Sequence, residues 1–286
     1  MTSLLTTPFS GEMGWELMAW IPYLRIIAPQ YDKVIIGCDP RMDYFYEDFA
    51  HEIYHRKNPN KGDRWLDHGK VTKVHSQRLE RYKNLYPDLK VIAPTEQNCT
   101  AWKKREWKAY GTVREECKYD IVLHARNLWR YCHGYRNWPL IRWGEFVDYH
   151  SKYKMCCIGT KKDAYKVPGV EDKRDIPVEE LCDILASSRL TIGPSSGPMH
   201  LAHLCRCPII VWTDNKVVKC FYGKKKKRTN RYRYEKLWRA FPDVHVGVID
   251  GRSWRVKVKS VTQAITNFFR YTEQGLVVPR RSKSCE

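Results

Sequence analysis

Short, mostly apolar runs separated by amphipathic or polar stretches set the rhythm of this chain. Residues 4–9, 33–38, 89–93, 119–124, 155–158, 190–192, 208–212 and 244–249 each read as a strand. Their length and predominantly apolar character are those of strands buried on both faces of a parallel sheet. Helical periodicity fills the gaps: 15–28 with an internal Pro22 expected to kink it, 76–85, 140–152, 177–187, a helix from Pro198, and an amphipathic 261–271. Segment 43–55 mixes the two signals, and 58–73 is polar with Pro and Gly, so it reads as a loop. Strands alternating with helices predict parallel sheets joined by crossover helices. The charged, aromatic and aperiodic stretch 96–118 reads as a junction. The fold class is therefore α/β, with two Rossmann-like domains, 1–115 and 116–286, whose parallel sheets face a central cleft.

The most informative segment is Leu190 to Trp212, LTIGPSSGPMHLAHLCRCPIIVW. A strand runs into Gly193-Pro194-Ser195-Ser196-Gly197, a helix opens near Pro198, and a second strand follows. Small residues at a helix N-terminus present free backbone N–H groups and partial positive charge, which suits phosphate. His200 lies in the first helical turn and points to the same anion. The turn also matches the G-x-S-x-G elbow of hydrolases, which needs an acid and then a histidine downstream. Asp214 or Asp243 with His245 is the only supply, and no HGGG-type oxyanion loop is present, so the hydrolase reading is the weaker one.

Two further loops follow predicted strands. Arg126, Arg130 and Arg136 lie between His124 and Trp138-Pro139. Guanidinium groups bind a diphosphate bidentately and stay charged. Gly11-Glu12-Met13-Gly14-Trp15-Glu16 places two carboxylates at a strand end, where one can act as a general base, though acids also stabilise a helix start.

Charge narrows the partner. The 286 residues carry a formal net charge of +19. Between Lys216 and Arg239 there are eleven Lys or Arg against one acid, Glu235. Tyr222, Tyr232, Tyr234 and Trp238 are interleaved with them, a mixture suited to phosphate contact and base stacking. Lys224, Lys225, Lys226, Lys227, Arg228, Arg231 and Arg233 are the candidate nucleic-acid-binding residues. The eleven cysteines include no CxxC pair, so neither a zinc site nor a redox motif is indicated, and no metal is expected. Free buried cysteines and the lack of a signal peptide or apolar span point to a reduced, cytoplasmic protein.

Taken together these loops resemble the heptosyltransferase-like glycosyltransferases of family 9, which have the GT-B architecture. Ser195-Ser196-Gly197-Pro198-Met199-His200 aligns with that family's D-T-G-x-x-H turn at the donor phosphates, with Ser195 in place of Asp. Arg136-Asn137-Trp138-Pro139 holds the place of a Lys two residues before a Trp-Pro pair. In the first domain the family has an acceptor base ahead of a helix with an internal Pro. Counting back from Pro22 puts Glu16 there, whereas Glu12 is closer to the glycine turn.

The resemblance implies an inverting, metal-independent transfer of a sugar, with glucose expected, from a nucleotide sugar that is expected to be UDP-linked. The donor is a co-substrate, so no cofactor is expected. Domain 1–115 then takes the acceptor and domain 116–286 the donor. Arg126, Arg136, Ser195, Ser196, Gly197 and His200 hold the diphosphate, and Asp163 faces the ribose. No D-x-D triplet, Walker loop or G-x-G-x-x-G after the first strand is present, which disfavours metal-dependent transferases, kinases and dehydrogenases. For the acceptor, charge leans toward hydroxymethylated pyrimidine in duplex DNA, as in phage enzymes that glucosylate such bases after flipping them. The alternatives are lipopolysaccharide or another surface glycan, with peripheral contact to an anionic membrane, and a non-enzymatic nucleic-acid-binding protein on the same scaffold. A monomer is expected.

Overall fold

The computed structural model describes residues 2–55, 68–94, 105–113, 119–129, 135–214, 218–219, 227–251 and 253–275. The chain forms two compact units, one built on Met1–Lys108 and the other on Ala109–Cys220 and Lys225–Glu286.

The first unit holds a parallel four-stranded sheet in the order β3-β2-β1-β4. Its strands are β1 Ser3–Thr6, β2 Lys33–Cys38, β3 Glu52–His55 and β4 Lys90–Ile92. β1, β2 and β4 follow the apolar runs in sequence. β3 does not, because Glu52-Ile53-Tyr54-His55 is a half-exposed edge strand with no apolar run to betray it. Helix α2 spans His68–Leu85 and starts earlier than its apolar periodicity suggested, extending into the stretch read as a loop. Residues 56–67 lie outside the described part, as does most of the junction at 96–118.

Helix α1 follows β1 and is composite: Met13–Trp15, a π-helical turn Glu16–Trp20, then Ile21–Ile27 and a 3-10 turn Ala28–Gln30. Pro22 is the physical reason. Proline has no N–H, so the Met18 carbonyl loses its ordinary i+4 partner. The helix widens by one residue there, with the Ile21 N–H returning to the Glu16 carbonyl, and the Arg105 guanidinium donates to Met18 O instead.

The second unit holds a parallel six-stranded sheet in the order β12-β9-β8-β5-β6-β7. Its strands are β5 Ile121–Leu123, β6 Met155–Gly159, β7 Glu171–Arg174, β8 Thr191–Pro194, β9 Ile209–Asp214 and β12 Val246–Gly251. β7 has the sequence Glu-Asp-Lys-Arg and was invisible to an apolar pattern. It is an edge strand whose charges pair among themselves, Arg174 with Asp172 at 2.8 Å, while Tyr119 donates to Glu171 at 2.6 Å. A two-residue antiparallel ladder joins β10 Val218–Lys219 to β11 Lys227–Arg228. The helices are α3 Leu140–Tyr149, α4 Val178–Ala186, α5 Gly197–Leu204, α6 Asn230–Tyr232 continued by a π turn Arg233–Leu237, and α7 Val258–Glu273.

Three fully buried tryptophans centre the core of this unit. Trp138 meets Trp143 edge-on at 5.0 Å and lies 5.1 Å from Trp212. Val256, Val261, Ile265, Phe268 and Phe269 close the cluster from α7 and the segment before it. Trp138 Nε1 donates to Val256 O at 2.8 Å, so its one polar atom is satisfied inside the core. Among the described residues the cysteines, at 38, 156, 157, 182, 205 and 207, are free and buried. No helix of the described residues is long and apolar enough to cross a membrane.

Replacing Trp138 with Ala removes that centre and one of the two donors to the Val256 carbonyl, leaving Arg142 Nη1 at 3.0 Å. Unfolding free energy in urea is expected to fall by about 3–5 kcal/mol with an unchanged slope. A loss below about 1 kcal/mol would show that the indole cluster is not what holds this unit together.

Candidate functional site

The C-terminal end of β8 is the best-defined site in the second unit. The Ser195 N–H donates to Trp212 O at 3.0 Å and carries the ladder one residue beyond the strand. Ser196 then adopts an extended N-cap conformation, φ −166° and ψ 170°, and α5 begins. The Ser196 hydroxyl does not cap the helix. It shares a hydrogen bond with His124 Nδ1 at 2.9 Å. Pro198 in the first turn has no N–H to offer. The amides of Gly197 and Met199 thus head the helix dipole without a side-chain cap, which is the arrangement that receives an anion. Gly193 makes the corner tight enough: a Cβ there would stand 3.0 Å from both the His124 carbonyl oxygen and Met199 Sδ.

His124 follows β5 and donates its N–H to Ile192 O at 2.9 Å. Burial, then the nearby Arg126 charge, pushes its ring pKa down to about 3. His200 is also buried. Its ring stacks on Tyr234 at 5.0 Å with an 11° interplanar angle, and Trp238 meets it edge-on at 4.7 Å. Burial first, then His203 and Arg233, lowers His200 to about 3. The residue expected to meet the diphosphate is therefore a neutral imidazole in the free protein, able to donate one N–H rather than a full charge. Tyr234 completes the corner by donating to Ser195 Oγ at 3.0 Å.

Arg126 is buried and works inward. Its Nη1 donates to Leu128 O at 3.2 Å and to Asn137 Oδ1, which also accepts the Leu128 N–H at 3.2 Å. It ties the start of the loop to its end. Arg136, next to Asn137, has its guanidinium over the Trp254 ring at 4.5 Å, a cation–π contact that fixes its direction. Asp163 closes the turn after β6: its N–H donates to Thr160 O at 3.1 Å and its carbonyl accepts the Asn127 N–H at 2.8 Å. Gly159 opens that turn at φ +119°, a conformation only glycine takes readily. The structure thus brings Ser195, Ser196, Gly197 and His200 to one corner, links Arg126 to it through His124, and joins Asp163 through backbone.

In the first unit, Glu12 is exposed and precedes the first turn of α1, its carbonyl accepting the Trp15 N–H at 2.9 Å. Glu16 is buried within the π turn, and Tyr46 donates to its Oε1 at 2.7 Å. At the same strand end Arg78 donates to Pro8 O and Ser10 Oγ, both at 2.8 Å, and so fixes the loop that leads to Glu12.

The basic segment divides. Lys224, Lys225 and Lys226 lie outside the described residues. Lys227 and Arg228 form the backbone ladder of β11. Arg231 is ion-paired to Asp250 and to Glu235 and donates to Val248 O at 2.7 Å. Arg233 is buried against Trp238. Sequence reading assigned Arg231 and Arg233 to nucleic acid. The geometry pairs Arg231 with Asp250 and Glu235 and sets Arg233 beside His200. The pattern of the sequence does not place Arg233, Tyr234 and Trp238 beside the Ser195–His200 corner, where the structure has them. They follow it by more than thirty residues, and only a helix laid against α5 brings them back.

No protein-family model and no curated protein sequence matches this chain. Solved structures do resemble it. E. coli ADP-heptose lps heptosyltransferase II matches with a TM-score of 0.60 at 11% identity, over 96% of this chain and 100% of that one. A glycosyl transferase family 9 protein from Veillonella parvula matches at 0.56 and 13%, over 94% and 97%. E. coli heptosyltransferase WaaC with ADP matches at 0.56 and 10%, over 93% and 100%. At such identities the likeness is one of fold, and it agrees with the α/β class with two parallel sheets, GT-B, read from the sequence.

The buried histidines make stability depend on pH. A ring held at about 3 when folded and near 6.5 when unfolded favours the neutral form in the native state. The unfolded chain takes up protons first, so the contribution is complete above pH 6.5 and is lost progressively as pH falls toward 3. Between pH 7 and pH 5, urea unfolding of the His124→Asn variant is expected to lose roughly 2 kcal/mol less than the parent protein. Equal losses would show that His124 is not desolvated.

Proposed function

We propose that this protein transfers a sugar from a nucleoside-diphosphate sugar to a hydroxyl of an anionic acceptor. The observation that carries the reading is the uncapped N-terminus of α5 at the end of β8, with the Ser196 hydroxyl turned to His124 and the neutral His200 ring in the same turn. The whole-length likeness to heptosyltransferase folds supports it.

The donor's diphosphate sits on the Gly197 and Met199 amides, with the His200 N–H and the Arg136 guanidinium as further donors. As the acceptor oxygen attacks the anomeric carbon, the bond to the diphosphate breaks and negative charge grows on the leaving oxygen. Preorganised dipoles at that point supply catalysis because they need no reorientation during the reaction. With no D-x-D triplet in the sequence, protein groups rather than a bridging cation meet that charge. The attack inverts the anomeric carbon. Glu12 takes the hydroxyl proton: its carboxylate is exposed, whereas Glu16 is buried and holds Tyr46. Asp163 faces the ribose, and Arg126 is a positioning residue for the loop that carries Arg136.

For the acceptor, the heptosyltransferase names of the structural neighbours favour lipopolysaccharide or another surface glycan. The second reading, hydroxymethylated pyrimidine in DNA, is favoured by the run Lys224–Arg228 within a chain of net charge +19. Incubation of both acceptors with a panel of nucleotide sugars, followed by mass spectrometry, separates the two. Absence of sugar release or transfer from every donor would instead leave a non-enzymatic binder.

Calorimetric titration with ADP and UDP checks the donor site. Arg136→Ala and His200→Ala are each expected to weaken nucleotide binding about ten-fold or more, a cost of about 1.4 kcal/mol. Glu12→Gln is expected to keep nucleotide affinity and lose roughly 10²–10⁴-fold in turnover. A Glu16→Gln variant showing the larger turnover loss would transfer the base role to Glu16.

A further inference from the structure

The first unit carries a second cluster of chemistry-bearing side chains, at the C-terminal ends of β2 and β3. The parallel register pairs Cys38 directly with His55, so their side chains leave neighbouring strands on one face of the sheet. β2 continues through Asp39 into the 3-10 turn Pro40–Phe45, where Asp39 accepts the Arg41 N–H. That turn folds Asp43 back over the strand ends. Cys38 Sγ donates to Asp43 Oδ1 at 3.1 Å, and His55 Nε2 lies 2.8 Å and 3.0 Å from the two carboxylate oxygens. One thiol sulfur, one carboxylate oxygen and one imidazole nitrogen thus lie within 4.8 Å of one another. Cys38 is fully buried, Asp43 is half-buried and His55 is exposed, so the cluster has a dry floor and an open side.

We propose that Cys38, Asp43 and His55 form a binding site for a divalent transition-metal ion of the zinc type, with water in the remaining position. The donor set decides the class. A sulfur and an imidazole nitrogen are poor ligands for magnesium or calcium, which take oxygen, and good ones for zinc, which binds S, N and O at about 2.0–2.3 Å. Bonds of that length require the half-buried carboxylate and the exposed ring to draw in slightly toward the floor. On binding, the Cys38 thiol releases its proton to solvent and the sulfur bonds the ion. No oxidation is involved. In the metal-free protein, burial and then the Asp43 hydrogen bond push the thiol pKa up, and a bound cation reverses that preference. The ion would tie β2 to the edge strand β3 and to the turn preceding Tyr46, whose hydroxyl holds Glu16. It would be a clamp at the strand ends of the first unit.

Cobalt is the informative probe, because thiolate ligation gives a near-ultraviolet charge-transfer band and four-coordination gives strong visible bands. The full-length chain, stripped with chelator and kept reduced, is expected to bind one Co(II) with both signatures, and zinc is expected to displace it. Cys38→Ser is expected to abolish the charge-transfer band and weaken binding roughly 100-fold, and His55→Ala to weaken it at least about ten-fold. Should Cys38→Ser fail to fold, His55→Ala decides alone, since its ring is exposed. Absence of the thiolate band in the parent protein, or unchanged band and affinity in His55→Ala, would overturn the proposal and leave the three side chains a hydrogen-bonded cluster only.

Discussion

One hydrogen bond shapes the strand-end corner of the second unit: Ser196 Oγ to His124 Nδ1. Serine is among the strongest N-capping residues, and a cap would satisfy the first-turn amides of α5. Turned toward His124, the hydroxyl leaves those amides for a ligand. The bond joins Ser196 to a histidine at the end of β5 whose ring burial, then the nearby Arg126 charge, holds in the neutral form. It needs β5 and β8 to approach closely, which Gly193 permits.

The buried aromatic groups serve this corner from a distance. Trp138 is locked in the core by Trp143, Trp212 and the Val256 carbonyl, so the two residues before it cannot drift. Asn137 then fastens Arg126, and Arg136 rests on Trp254. On the other side Tyr234 and Trp238 hold His200 in one orientation. Both come from the segment that follows the lysine run, and part of its positive charge is used internally, in Arg231 and Arg233. The electrostatic footprint available to an acidic partner is smaller than the sequence count suggests.

What the sequence disclosed follows from how each element is buried. The inner strands β1, β2, β5, β6, β8 and β9 are mostly apolar because a parallel sheet covers both faces, and their runs were legible. The edge strands β3 and β7 are half-exposed and charged, so no periodicity marked them. Pro22 was read as a kink, and its effect is a π turn that buries Glu16. The strand–turn–helix corner at Gly193–His200 was legible because its residues are contiguous. Arg233, Tyr234 and Trp238 were not, since tertiary packing alone brings them there. Cys38, Asp43 and His55 escaped a search for CxxC spacing for the same reason: strand register, rather than sequence proximity, sets them side by side.

The central claim is that a diphosphate rests on the N-terminus of α5. A crystal of the protein grown with ADP or UDP tests it most directly. The account predicts the diphosphate within hydrogen-bond distance of the Gly197 and Met199 amides and of the His200 ring. Nucleotide bound with its phosphates remote from Ser196, and those amides left to solvent, would contradict it.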